Sequence, residues 1–309
     1  MKAVLIRQFG GPEVLEYGDV PEPMPGPNDV VVEVHAASVN PVDIKMRDGH
    51  VRQYGDFKLP RILGREFSGV IAAVGAGVSD LKPGDAVFGI ADRLRDGTHA
   101  ETHVSDAGLV AKKPRALSHI AGASLGVAAA SALAALETTA PVKAGDRVLV
   151  HAGAGGVGHF AIQYARKKGA HVIATARAEN HEFVKGLGAQ EAIDYTAADF
   201  AAAVKDCDLV FDTLGGEAHW RSMACLKPGG TLVYLNAAPI PPGAARNDVK
   251  VVQAIVKGGR AAMERIGQLA SEGVLKPHVS ATFPLERAAE AYAMVETGRT
   301  RGKVVITVR

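Results

Sequence analysis

The chain has 309 residues, 47% of them hydrophobic and 22% charged, with a formal net charge of +2. That balance describes a globular protein with material for two domains, and the absence of a basic run interleaved with aromatics excludes a nucleic-acid footprint. Its two cysteines, Cys207 and Cys225, are too few for a disulfide framework or a four-thiolate metal site, which fits a reducing cytoplasm.

The first third reads as β structure. Val4–Arg7 is a candidate strand, and the apolar run Ala3–Ile6 is too short for a signal-peptide core. The turn Gly10-Gly11-Pro12 and the proline-rich loop Pro21 to Pro27 lead to Asp29–Ser38, where Val30, Val31, Val32 and Val34 mark a strand. Asn40 follows, just before Pro41, where asparagine is ordinary turn chemistry. Gly69–Val74 and Asp85–Gly89 are further strands, separated by Lys82-Pro83-Gly84. Short strands at these intervals predict a small barrel.

From about Ile120 the pattern changes. The uncharged stretch Ile120–Leu136 approaches membrane-spanning length, but its Ala, Gly and Ser content predicts a buried helix, Ala121–Thr138, that includes Ser131. Strand Arg147–His151, helix His159–Lys168, strand His171–Ala176 and helix Glu179–Leu187 follow, then strands Ala192–Tyr195, Leu209–Thr213 and Thr231–Asn236. Such alternation indicates parallel βαβ units. From roughly Leu275 the chain returns to strand-like segments ending in Gly302–Val308. The expected domains are 1–120, completed by 275–309, around an insertion of 121–274.

The junction after Arg147–His151 is the most informative stretch. A β-branched run ends in Gly153, Gly155 and Gly158, spaced G-x-G-x-x-G, and a helix follows at once. Gly153 is expected at the tight turn, Gly155 where the backbone approaches a pyrophosphate, and Gly158 where the helix packs on the strand. Gly156 and Val157 count with them as cofactor-binding, at a helix N-terminus whose N–H groups suit phosphate. The next strand ends in Ala176 instead of the acidic residue that holds a ribose 2′-hydroxyl. Arg177 offers a guanidinium fork to a 2′-phosphate, and Thr175 adds a hydroxyl, so NADPH is the expected cofactor. Thr213 and Gly215 end one strand, and Asn236 and Ala237 another, on the edge where the nicotinamide belongs. A strand-end asparagine is also common for turn reasons alone.

These features, with Gly10-Gly11-Pro12, Ala37–Asp43, Phe211–Gly216 and Arg301–Val305, span nearly the whole chain. It resembles the medium-chain dehydrogenase/reductase superfamily and, within it, the zinc-independent quinone oxidoreductases related to zeta-crystallin. The resemblance implies an α/β protein, a GroES-like β-barrel domain plus a Rossmann doubly wound parallel-sheet domain, with the active site in the cleft between them. It implies Asn40 as the catalytic residue, Ser131 near the nicotinamide, Tyr195 in the 2′-phosphate pocket, Lys303 by the cofactor, and a homodimer. Lys45 departs from the pattern, because several relatives carry a tyrosine there.

Zinc-containing relatives hold their metal through positions that match Asn40, Arg65 and Val127, none of them a zinc ligand in that arrangement. His99 and His103 lie in Gly97–Val104, which resembles a family strand, where four residues span about 13 Å, too far for one ion. No metal is expected. Without that Lewis acid a plain alcohol is a poor substrate. A quinone or enone delocalises the charge that hydride brings, and a hydrogen-bond donor suffices to stabilise it. The expected activity is NADPH-dependent reduction of a quinone or other electron-poor conjugated carbonyl. The alternatives are a reductase of α,β-unsaturated aldehydes and ketones, and a crystallin-like nucleotide-binding protein without turnover. A soluble cytoplasmic protein is expected in each case, with a small-molecule substrate and neither nucleic acid nor membrane as partner.

Overall fold

The computed structural model describes residues 1–50, 57–243 and 245–309. These form two compact units, one of Met1–Val127, Gly258–Glu272 and Pro277–Arg309, the other of Ala128–Lys257 and Gly273–Lys276. The sequence pattern sets the boundaries near 120 and 274. The main difference is the helix Arg260–Ser271, expected in the nucleotide domain but packed in the first unit. Arg260 Nη2 donates to the Ala107 carbonyl at 2.6 Å and the guanidinium pairs with Asp80, while Met263 and Ile266 are buried. These anchors lie far away in sequence, so local pattern could not assign the helix.

In the first unit a seven-stranded sheet runs Val279–Pro284, Lys303–Thr307, Asp29–Val39, Glu66–Val74, Ala86–Ile90 and Val110–Lys112, with Thr102–Asp106 also pairing on Asp29–Val39. A three-stranded sheet of Glu16–Asp19, Lys2–Ile6 and Arg61–Ile62 completes the β structure. The long strand Asp29–Val39 organises the unit. Val30, Val32 and Val34 alternate into a core with Phe67, Ile71 and Val87, as a strand of period two requires.

The second unit is an all-parallel six-stranded sheet, ordered Glu191–Ile193, His171–Thr175, Arg147–Val150, Cys207–Asp212, Leu226–Tyr234 and Lys250–Gln253. In chain order this is 3-2-1-4-5-6, the doubly wound arrangement that binds nucleotides at the carboxyl ends of its strands. Val148, Leu149 and Val150 are all fully buried, because helices cover both faces of such a sheet. The long helix expected over Ala121–Thr138 is interrupted. It forms as His119–Gly122, Gly126–Leu133 and a wide turn Ala134–Thr139, in which Ala140 N–H reaches back five residues to Ala135 at 2.9 Å. Among the described residues, no helix is long and apolar enough to cross a membrane.

Candidate functional site

The nucleotide unit presents the glycine loop between the strand Arg147–Val150 and the helix Gly158–Lys167. Its glycines divide the labour differently from the expectation. The residue in the left-handed region is Ala152, with φ 48°, and not Gly153. Gly153 is required for packing instead, since a Cβ there would lie 2.7 Å from Ala174 Cβ. A Cβ on Gly158 would lie 2.2 Å from the Ala152 carbonyl oxygen, which agrees with close helix–strand contact. At Gly155 a Cβ would meet only that same oxygen, at 3.2 Å, a tight contact but the mildest of the three. Gly156 and Val157 carry the chain from there into the helix, where His159 N–H bonds the Gly155 carbonyl at 3.1 Å and Ala161 N–H the Val157 carbonyl at 3.0 Å.

Thr175 sits beneath this loop rather than facing outward. Its buried hydroxyl accepts from Ala152 N–H at 3.1 Å and contacts His151 Nδ1 at 3.2 Å, and its carbonyl accepts from Gly153 N–H at 2.9 Å. Burial holds His151 down to about 4, so the ring is neutral. Thr213 donates its hydroxyl to the His151 carbonyl at 2.8 Å from the neighbouring strand end. Next to it Gly215 takes φ 71°, and a Cβ there would lie 2.5 Å from the Ala238 carbonyl oxygen. The buried Asp212 accepts from Leu214 and Gly215 N–H at 2.8 and 2.9 Å and pairs with His219 at 2.9 Å, which fixes that turn. Asn236 is exposed just beyond the strand Leu226–Tyr234, and Ala237 N–H bonds Leu235 at 2.8 Å. Ser131 lies buried in the helix Gly126–Leu133.

One strand further out, Arg177 and Tyr195 come together. The register pairs Thr175 with Ile193, so each is two residues past its strand end, and Arg177 Nε donates to Tyr195 Oη at 3.1 Å. Glu179 and Asp194 also act on this guanidinium, which lies beside a half-exposed phenol.

The first unit contains a buried polar cluster built on one strand end. Val304 pairs with Val39 on one side of Asp29–Val39, and Phe67 pairs with Ala37 on the other. That register brings Lys303 and Glu66 to the two flanks of Ser38 and Asn40. The Lys303 ammonium donates to Asn40 Oδ1 at 2.5 Å and to Glu66 Oε1 at 2.8 Å. Asn40 Nδ2 donates to the same Glu66 oxygen at 2.9 Å, and Ser38 Oγ also donates to it. Val127 N–H takes Glu66 Oε2 at 2.8 Å. Lys303 and Asn40 are each 3% exposed, and Glu66 is wholly buried. Asn40 also opens the helix Pro41–Arg47, its N–H donating to Asp43 Oδ2 at 2.8 Å. Burial pushes the Asp43 carboxyl up to about 7.

A resident zinc does not fit this constellation. Glu66 is already engaged by an ammonium, an amide, a hydroxyl and a backbone N–H, and the nearby Asp43 carboxyl by the Asn40 N–H. Arg65 adds a second cation. His99 and His103 turn to different neighbours, His99 to Tyr292 Oη at 3.1 Å and the Ser38 carbonyl at 3.3 Å, His103 to the Phe67 ring. Among the described residues no group of three or more His, Cys, Asp or Glu side chains is placed to hold a metal. Sequence reasoning named Asn40 and Lys303 but not their junction, Glu66. The available signal was an ionisable residue opening each of two otherwise apolar strands.

A family model described as an alcohol dehydrogenase GroES-like domain matches residues 26–142, and one described as a zinc-binding dehydrogenase matches 187–306. An Arabidopsis thaliana protein, NADPH-dependent alkenal/one oxidoreductase, chloroplastic, is 33% identical over 99% of this chain and 79% of its own. The solved quinone oxidoreductase from Coxiella burnetii superposes with TM-score 0.91 at 38% identity, covering 100% of this chain and 99% of that one. The Escherichia coli quinone oxidoreductase complexed with NADPH gives TM-score 0.91 at 27% identity, covering 100% of both chains.

Proposed function

This chain belongs to the medium-chain dehydrogenase/reductase superfamily and, within it, to the quinone oxidoreductase family, and on that premise we propose that it is an NADPH-dependent reductase of quinones or other conjugated carbonyls that works without zinc. The observation that carries the reading is the Asn40 amide, which stands at a position that the resemblance matches to a zinc ligand and is engaged by Lys303 and Glu66. The donor set offers hydrogen bonds and no Lewis acid. The acceptor must therefore spread its own developing charge, as a quinone or enone does.

The glycine loop 153–158 and the following helix N-terminus suit a pyrophosphate, and Gly155 is the least crowded of Gly153, Gly155 and Gly158. Arg177 and Tyr195 suit a 2′-phosphate. NADPH, bound there, supplies the hydride. Thr213, Gly215, Asn236 and Ala237 line the strand ends that the nicotinamide half would follow, with Ser131 in the preceding helix. Asn40 donates to the acceptor oxygen as it gains charge. Two free, buried thiols, Cys207 and Cys225, fit a reducing compartment, and a homodimer is the expected assembly, which light scattering on a sizing column reads.

The test is NADPH consumption with 1,4-benzoquinone, phenanthrenequinone and simple enones, against ethanol with NADP⁺ as the contrast. Turnover on the conjugated carbonyls alone supports the proposal. Tight NADPH binding without turnover on any of them would favour a nucleotide-binding role. Between quinone and enone, the ratio of kcat/KM decides, and the alkenal/one-reducing relative gives the enone reading its support.

A further inference from the structure

We propose that Lys303 is a positioning residue: held by Glu66, its ammonium locks the Asn40 side-chain amide in one orientation, with the oxygen turned inward and a single N–H left to meet the substrate. The inference rests on the function proposed above for Asn40.

The argument is one of donors and acceptors. An asparagine amide has an oxygen that accepts and a nitrogen with two N–H donors. Here the oxygen is taken by Lys303 Nζ at 2.5 Å and one N–H by Glu66 Oε1 at 2.9 Å. Turning the amide over would set its oxygen against the Glu66 carboxylate and its NH₂ against the ammonium. Two charge-assisted bonds would become two contacts of like polarity in a site from which water is excluded. Lys303 and Glu66 hold each other at 2.8 Å, so neither partner is left unpaired by serving Asn40.

The lock is braced from behind. Ser38 Oγ and Val127 N–H fix the carboxylate of Glu66. The Ser38 carbonyl in turn lies 3.3 Å from His99 Nε2, and His99 Nδ1 lies 3.1 Å from the hydroxyl of the buried Tyr292. Burial holds His99 down to about 4, so the ring is neutral, with one nitrogen donating and the other accepting. Each member of the chain therefore has a fixed role, and the one amide N–H of Asn40 without a partner in the cluster is its output.

Lys303→Met tests the lock. In the wild type, one side-chain amide proton of ¹⁵N-labelled Asn40, assigned by its loss in Asn40→Asp, should exchange slowly and resonate well downfield of the other. In Lys303→Met the two should converge. With 1,4-benzoquinone, kcat should fall roughly ten- to hundred-fold, the range for a lost bond involving a charged group, while NADPH affinity by fluorescence titration stays within about threefold. If Glu66 left alone unfolds the protein, Lys303→Met combined with Glu66→Gln removes both charges, and the same losses are expected. Asn40→Asp, which offers no amide N–H, should be at least as slow as Lys303→Met. Unchanged amide signals and kcat in the folded variant would overturn the proposal. So would a loss confined to NADPH affinity, which would make Lys303 a cofactor contact. Wild-type protein that turns over no quinone or enone, yet whose Asn40 signals still depend on Lys303, would refute the function while supporting the lock.

Discussion

Arg177 Nε donates to Tyr195 Oη at 3.1 Å across the ends of two adjacent parallel strands. The bond holds the guanidinium through Nε at an exposed spot, a geometry suited to the doubly charged 2′-phosphate. Arg177→Ala should weaken NADPH binding roughly ten- to hundred-fold and NADH binding hardly at all. Tyr195→Phe, which removes only the orienting hydroxyl, should cost NADPH less. Fluorescence titration with both cofactors decides, and an equal loss for both would mean that Arg177 does not read the phosphate.

The three fingerprint glycines should fail in different ways. Gly155→Val should keep the far-ultraviolet circular dichroism of the wild type but lose NADPH binding, because its Cβ would meet only the Ala152 carbonyl oxygen, at 3.2 Å, while its branches fill the space a pyrophosphate needs beside the loop. Gly158→Ala should destabilise the fold by roughly 1–3 kcal/mol, the usual range for overpacking, because its Cβ would lie 2.2 Å from the Ala152 carbonyl oxygen. Gly153→Ala should behave like Gly158→Ala, through Ala174. A Gly155→Val protein that binds NADPH normally would assign all three glycines to packing.

Exhaustive dialysis against a strong chelator should leave quinone reduction unchanged, and metal analysis should find no stoichiometric zinc. The reason is chemical: the Glu66 carboxylate already serves four donors, one of them the Lys303 ammonium. One tightly held zinc per chain, with activity lost on its removal, would contradict this.

Stability should carry a signature of Asp43. Its carboxyl, wholly buried and with Oδ1 unpartnered, is raised by desolvation from 3.8 to about 7. Between about pH 4 and pH 7 the folded state keeps a proton that the unfolded state has released, so this group's contribution declines as pH rises through that window and is gone above it. Asp43→Asn keeps an acceptor for the Asn40 N–H and abolishes the titration. Its stability relative to the wild type should therefore increase from pH 5 to pH 8, by on the order of a few kcal/mol. Urea unfolding at both values measures it, and a pH-independent difference would show that Asp43 is not the titrating group.

Much of the architecture was legible because its signals are local. The run Arg147–Val150, the glycines and the helix after them sit within one short stretch, and alternating strands and helices announce a parallel sheet. The buried cluster was not legible as a cluster. Lys303 and Glu66 are 237 residues apart, and only the pairing of two strands on opposite sides of Asp29–Val39 brings them to Asn40. Thr175 shows a subtler gap: its hydroxyl is expected to serve the cofactor, whereas it accepts from Ala152 N–H beneath the loop. The assignment of Arg260–Ser271 failed for the same reason as the cluster, since its anchors at Asp80 and Ala107 are remote in sequence.

The strand Lys303–Thr307 has a consequence for the order in which the protein is made. Asn40 waits for a lysine synthesised 263 residues later, after the whole parallel sheet has left the ribosome. The nucleotide unit can thus mature on the growing chain, while the other unit cannot close before Lys303–Thr307 pairs with Asp29–Val39. Until then Glu66 lacks the Lys303 ammonium, and the Asn40 amide is held by its Nδ2 alone. A chain stopped short of residue 303 would retain every element of the glycine loop and lack an aligned hydrogen-bond donor. Reductive capacity thereby waits on the pairing of Lys303–Thr307 with Asp29–Val39.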